Sequence, residues 1–219
     1  LNMANILTNL VGKQSLKYGA RPAFSFKSSL ESGWVDTSWT DFDIAVERAA
    51  CAFEILGITP GDTIGVFSGN RPEILMTDFG AFANRAVPVS IYSTSSPEQV
   101  EYIARDAKIK MLFVGDASQY RTAREITGSC PDLTRIVVYE DIELDADDKE
   151  SMTFGSLLKL GAAAGDDCKD EVRARRESAR PADIATLLYT SGTTGEPKGA
   201  MSVSYTHLRA HETGAYLVC

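Results

Sequence analysis

The chain has 219 residues, 44% of them hydrophobic, and carries a net charge of -8 from 30 acidic and 22 basic side chains. That length builds one substantial core, and the acidic balance argues against a nucleic-acid partner, because a negative surface repels a phosphate backbone. No run approaches the roughly 20 apolar residues a membrane span needs, and the opening LNMANILTNLVGKQSLKYG has no cleavage signal. The four cysteines, Cys51, Cys130, Cys168 and Cys219, lie far apart and form no CxxC, so they read as thiols of a reducing compartment. Two histidines and scattered thiols make no zinc cluster.

In chain order, residues 2–18 predict a helix with Ile6, Leu7, Leu10, Val11 and Leu16 on its apolar side, and 23–26 a short strand. After SWT, the three- and four-residue steps of Phe42, Ala45, Val46, Ala49, Ala50, Phe53 and Leu56 predict a helix. Thr40 or Asp41 is expected to cap it and Gly57 to end it. A strand follows at about 63–67, then a helix in RPEILMTDFGAFANR and a strand in AVPVSI. SPEQVEYIARDA predicts a helix with a serine cap, Pro97 in its first position and Glu98 and Glu101 near its positive end. IKMLFVG reads as a buried strand, 117–127 as a polar helix and TRIVVYE as a strand.

The acidic stretch IELDADDKE reads as solvent-like. TFGSLLKLGAAA and DEVRARRESA predict helices, the second with Arg173, Arg175 and Arg176 balanced by acids on a solvated face. DIATLLYT, at about 184–189, predicts the last strand. Strands alternating with helices, and carrying few charges, imply an α/β fold with a largely parallel sheet and helices on both faces.

That last strand runs into YTSGTTGEPKG, Tyr189 to Gly199. Gly192 and Gly195 let backbone N–H groups approach an anion, Thr190, Ser191, Thr193 and Thr194 add hydroxyl donors, and Lys198 adds a mobile positive charge. The carboxyl end of a strand is where open α/β sheets bind ligands. The stretch is not an ordinary Walker loop. Gly192 and Lys198 have the right interval, but Pro197 replaces the second glycine and Gly199 the magnesium-binding hydroxyl. On residues alone, a phosphate loop and a plain polar turn both remain open. Elsewhere, Asp62 and Cys51 read as structural, and Arg71 and Glu73 as helix capping or surface solvation. Tyr92 and Ser93 are candidate ligand neighbours.

YTSGTTGEPKG resembles the signature loop of the adenylate-forming superfamily: acyl-CoA synthetases, luciferases and nonribosomal peptide adenylation domains. The order and spacing of residues 20–201 are similar to that family, and VPVSIYSTSSPEQVEYI after TSWTDF looks most like bacterial long-chain acyl-CoA synthetases. The resemblance implies an incomplete N-terminal AMP-binding domain over residues 1–201, with the C-terminal lid absent. It implies a parent enzyme that joins a long-chain fatty acid to coenzyme A through an acyl-adenylate, using ATP and Mg2+. Its phosphates would be held by Thr190, Ser191, Gly192, Thr193, Thr194, Gly195 and Lys198, with no catalytic residue or metal ligand in this piece, which is expected to be inactive alone. A cytoplasmic location, with peripheral contact at the inner face of the membrane, goes with that reading. An amino-acid or aryl-acid adenylating enzyme and a non-catalytic nucleotide-binding fragment stay open. Residues 202–219, in which His207 and His211 fall, read as a tail foreign to the parent gene.

Overall fold

A computed structural model describes residues 6–27, 33–190 and 197–203. The chain begins with α1 (Ile6–Tyr18) and a hairpin of β1 (Pro22–Lys27) and β2 (Trp34–Ser38). It continues through α2 (Trp39–Ile55), β3 (Thr63–Phe67), α3 (Pro72–Ala83), β4 (Val87–Ile91), α4 (Pro97–Asp106) and β5 (Ile109–Val114). Then come α5 (Ala117–Ile126), β6 (Arg135–Val138), β7 (Met152–Thr153), α6 (Phe154–Ala162), α7 (Asp166–Glu177), β8 (Ile184–Thr190) and β9 (Lys198–Val203). The main sheet runs β7-β6-β5-β3-β4-β8-β9, parallel throughout except for the antiparallel β8–β9 pair at one end.

The near-continuous apolar character of the central strands follows from their two covered faces. Along β5, Leu112 and Val114 pack with α4 and α5, whereas Met111 and Phe113 turn toward α2 and α6. Ile136 and Val138 of β6 join the first layer and Val137 the second, the period-two division a strand imposes. The β1–β2 hairpin is held against α2 and α3 by Phe24, Phe42 and Phe79, whose rings meet edge to face at 5.2 and 5.7 Å.

Most expected elements occur within two residues of their sequence-based limits, but several details differ. The α2 cap is Ser38, not Thr40 or Asp41: its hydroxyl accepts from the Asp41 N–H at 3.0 Å, and the helix starts at Trp39. Gly57 does follow the helix end, with φ of 81°, which a side chain would strain. Ser96 and Gln99 form a full capping box on α4, with Pro97 in the first turn. Leu16 lies off the packed side of α1 and is 92% exposed, whereas Val11 is buried.

Two polar segments are far less solvent-like than their composition suggests. Arg124 of α5 draws in Asp145, Asp147 and Asp148 from the acidic stretch, and Tyr120 donates to Asp148 at 2.8 Å. Asp148 therefore has a nearly inaccessible side chain. Desolvation raises its pKa, but bonds from Ser151 and Tyr120 outweigh it and hold the carboxyl below its ordinary range. On α7, Arg173 is exposed and pairs with Asp170, as expected of a solvated face, but Arg175 and Arg176 turn inward. The inward face of α7 carries arginines where an apolar stripe would ordinarily identify it.

Helix α6 crosses α2 at a point that only glycine permits. A Cβ on Gly161 would stand 1.8 Å from the backbone oxygen of Arg48, so the two helices would have to separate. Gly161→Ala is expected to cost about 2 kcal/mol, a loss of roughly 4–8 °C in unfolding midpoint for a chain of this size. Gly155→Ala on the same helix is the control, since its Cβ would meet nothing nearer than Thr153 Oγ1 at 4.0 Å. Equal midpoints for the two variants would refute the close-approach account.

Candidate functional site

Strand β8 adds parallel to β4, pairing Val89 with Leu187 and Ser90 with Leu188. Thr190, its last residue, therefore sits at the carboxyl end of the sheet, where β3, β4, β5 and β6 also end. Strand β9 returns antiparallel, and Lys198 lies directly across from Thr190. Both are exposed. The intervening chain thus leaves and re-enters the sheet at one place, bracketed by a hydroxyl and an ammonium. Ser191, Gly192, Thr193, Thr194 and Gly195 lie outside the described residues.

The base of this hairpin has an anchor that sequence reasoning missed. The Tyr189 hydroxyl donates to Asp106 Oδ2 at 2.6 Å, tying β8 to the end of α4. Burial, then the Asp106 carboxylate, push the phenol upward in pKa, so it remains a donor at neutral pH. Gly199 lies over the same ring: a Cβ there would be 3.1 Å from Tyr189 Cζ. The two residues flanking Thr190 and Lys198 are therefore packed on each other. Nothing local in the sequence signals the Asp106 contact, because it joins positions 83 apart.

A second feature at the carboxyl end is a cleft of about 970 Å³ between the β1–β2 hairpin and the start of α3, lined by Phe24, Phe26, Arg71, Glu73, Leu75 and Tyr139 among others. Arg71 stands at the α3 N-cap but makes no side-chain cap bond. Its guanidinium instead donates to the Gly115 carbonyl at 2.8 Å and to Glu73 at 3.1 Å, and lies 5.1 Å from the Tyr139 ring centroid. Arg71 and Glu73 thus brace the ends of β5 and β6, a structural role different from capping or solvation. Tyr139 OH and Thr77 Oγ1 are 2.9 Å apart in the interior beneath them.

The remaining candidates resolve simply. Asp62 is a turn residue. Desolvation opposes its ionisation, but Lys110 at 2.8 Å and Thr59 hold its carboxyl below the ordinary range. Cys51 is buried within α2. Tyr92 follows β4 and is 71% exposed, while the Ser93 carbonyl accepts from Gln119 at 3.4 Å. Neither approaches Thr190 or Lys198 through a hydrogen bond among the described residues. His207 and His211 lie outside those residues. The boundary expected at residue 202 falls within β9, where Ser202 pairs with Thr186 and Val203 with Ile184.

Among the described residues no helix is long and apolar enough to cross a membrane, and no group of three or more His, Cys, Asp or Glu side chains could hold a metal ion.

The fold matches that of an anthranilate CoA ligase, AuaEII, solved with anthranoyl-AMP. The TM-score is 0.80 at 19% identity, over 100% of this chain and 38% of that one. In sequence, the chain is 36% identical over 170 residues to the long-chain-fatty-acid–CoA ligase FadD15 of Mycobacterium bovis, covering 75% of this chain and 27% of that protein. It is 30% identical over 185 residues to the long-chain-fatty-acid–CoA ligase ACSBG1 of Bos taurus, covering 84% of this chain and 25% of that protein. The chain thus spans about a quarter of the length of these curated relatives. The model of the family described as AMP-binding enzyme matches residues 12–214, and the chain belongs to that family.

Proposed function

We propose that this chain is the nucleotide-phosphate-binding part of an ATP-dependent long-chain fatty-acid–CoA ligase. In the complete protein, a fatty-acid carboxylate attacks the α-phosphorus of ATP. Pyrophosphate leaves and an acyl-adenylate forms. The thiolate of coenzyme A then attacks the acyl carbon and expels AMP. Magnesium enters with the nucleotide, as part of the substrate.

The observation carrying this reading is the hairpin mouth at the carboxyl end of the parallel sheet, with Thr190 facing Lys198. Lys198 would neutralise charge on the outer phosphates, and Thr190 with Ser191, Thr193 and Thr194 would donate to their oxygens. Gly192 and Gly195 would open the backbone to the same anion. Pre-aimed donors of this kind count most in the transition state, where charge on the leaving pyrophosphate grows. The fatty-acid choice follows from the names of the two relatives described above. The chain spans about a quarter of the length of those relatives and is proposed to be inactive by itself.

The test is exchange of labelled pyrophosphate into ATP by the full-length protein, with palmitate. Lys198→Ala is expected to lower the exchange about 10–100-fold, the loss of one charge-assisted contact of about 1.5–3 kcal/mol. Exchange unaffected by Lys198→Ala would overturn the loop assignment. Exchange with an aryl or amino acid, but with no fatty acid, would overturn the substrate.

A further inference from the structure

Two of the cysteines that look isolated in the sequence meet in the fold. Cys51 lies in α2 and Cys168 in the first turn of α7, 117 positions later. The Cys168 thiol donates to the Cys51 carbonyl at 3.6 Å, and the two side chains also engage each other directly. Ala50, Ala83 and Val172 close one side of the pair. The other side is open: a cleft of about 230 Å³, lined by Glu47, Cys51, Lys169 and Arg176 among others, reaches the Cys51 wall from solvent. Cys51 is 1% exposed, whereas Cys168 is only partly buried.

A charged group completes the setting. Arg176 is two turns beyond Cys168 on α7, and its Nε and Nη2 are buried without a hydrogen-bond acceptor among the described residues. Desolvation lowers its pKa, while Glu47, Asp43 and Cys51 act in the opposite direction, so the guanidinium charge is felt at the Cys51 thiol. Burial, and then the charge on Cys168, push the Cys51 thiol up to about 12. Cys168, the more exposed of the two sulfurs, is the one an oxidant in solution meets.

We propose that Cys51 and Cys168 are a peroxide-reactive dithiol that closes to an intramolecular disulfide and clips α7 to α2. The Cys168 thiolate attacks one oxygen of hydrogen peroxide. The O–O bond breaks, hydroxide leaves, and Cys168 becomes a sulfenic acid. The Cys51 sulfur then attacks the Cys168 sulfur. The S–S bond forms as the S–O bond breaks, and the departing hydroxide takes the Cys51 proton as water. In total the two thiols lose two electrons and two protons, and one peroxide becomes two waters. Arg176 supports the second step, because its charge favours the negative form of the attacking Cys51 sulfur. This inference concerns a helix interface and does not depend on the ligase reading.

The 219-residue chain is treated with hydrogen peroxide, its free thiols are alkylated after denaturation, and non-reduced peptides are mapped by mass spectrometry. The expected product is a chain lighter by two hydrogen atoms, in which the Cys51 and Cys168 peptides are joined and dithiothreitol separates them. Cys168→Ser removes this product, and Cys51→Ser leaves Cys168 as a sulfenic or sulfinic acid. Arg176→Gln, with an unchanged circular dichroism spectrum, slows the closure severalfold. Recovery of both peptides alkylated and unlinked, or linkage of either cysteine to Cys130 or Cys219 instead, would overturn the proposal.

Discussion

Arg175→Ala is expected to cost about 3–5 kcal/mol of folding stability, the range found when one member of a buried ion pair is removed. For a chain of this size that lowers the unfolding midpoint by roughly 6–20 °C. The side chain of Arg175 is only 11% exposed and reaches four partners: Glu54, Glu171 at 3.1 Å, the Ile58 carbonyl at 2.8 Å and Asn84 Oδ1 at 2.9 Å. Asn84 is itself fully buried and donates to the Ala50 and Gly80 carbonyls at 2.9 and 3.2 Å. Removing the guanidinium leaves the Glu54 carboxylate and the Asn84 and Ile58 oxygens without their donor, between α2, α3 and α7. The cost arises from these stranded acceptors more than from the lost attraction. Arg173→Ala is the companion measurement, since its exposed pair with Asp170 contributes about 0–1 kcal/mol. Thermal melts giving the two variants the same midpoint would show that α7 is docked by something other than Arg175. A cycle with Glu54→Gln should be strongly non-additive, because the two residues share one network.

The same helix shows where the sequence is readable and where it is not. The strands declare themselves because both faces are buried, so MLFV of β5 and IVV of β6 are apolar throughout and the charges, Lys110 and Arg135, stay near the strand starts. Helix α2 is readable through its period and the glycine at its end, and α4 through its serine cap and proline, all local properties. On α7, Cys168, Val172, Arg175 and Arg176 share one face, but two of the four are cations, and the amphipathic signal disappears into an apparent charge run. Two partners of Arg175, Asn84 and Ile58, lie 91 and 117 positions away, beyond any local rule. Strands β2, β7 and β9 escaped for a related reason, since each is defined by its neighbour more than by its composition. Of the candidate site, the motif fixes residue types and the strand before it. The crossing of Thr190 and Lys198 and the tether from Tyr189 to Asp106 required the fold.

The second large effect is a pH dependence centred on Asp78, which lies on α3 with no hydrogen-bond partner among the described residues. The residue keeps some accessible surface, but its carboxyl is packed among protein atoms, and that desolvation alone pushes it from 3.8 up to about 7. A folded-state value above the unfolded one means that folding favours the protonated acid. Below about pH 4 the group is protonated in both states and its stabilising contribution is complete. The contribution declines as pH rises and is gone above about pH 7, a total of about 4 kcal/mol. Asp43, raised mainly by desolvation, acts in the same direction. Asp62, Asp148 and Asp183 have lowered values in spite of desolvation, so their contributions are lost only as pH falls below the ordinary carboxylate range. The two groups act in different windows, which places maximal stability on the acid side of neutrality. Denaturant titrations should find the chain about 2–3 kcal/mol more stable at pH 5 than at pH 8, and Asp78→Asn should remove most of that slope. A wild-type curve that is flat across this interval, or one that the asparagine leaves intact, would mean that water or a counter-charge reaches the carboxyl in solution. Either result would move Asp78 from a buried acid to an ordinary ionised side chain.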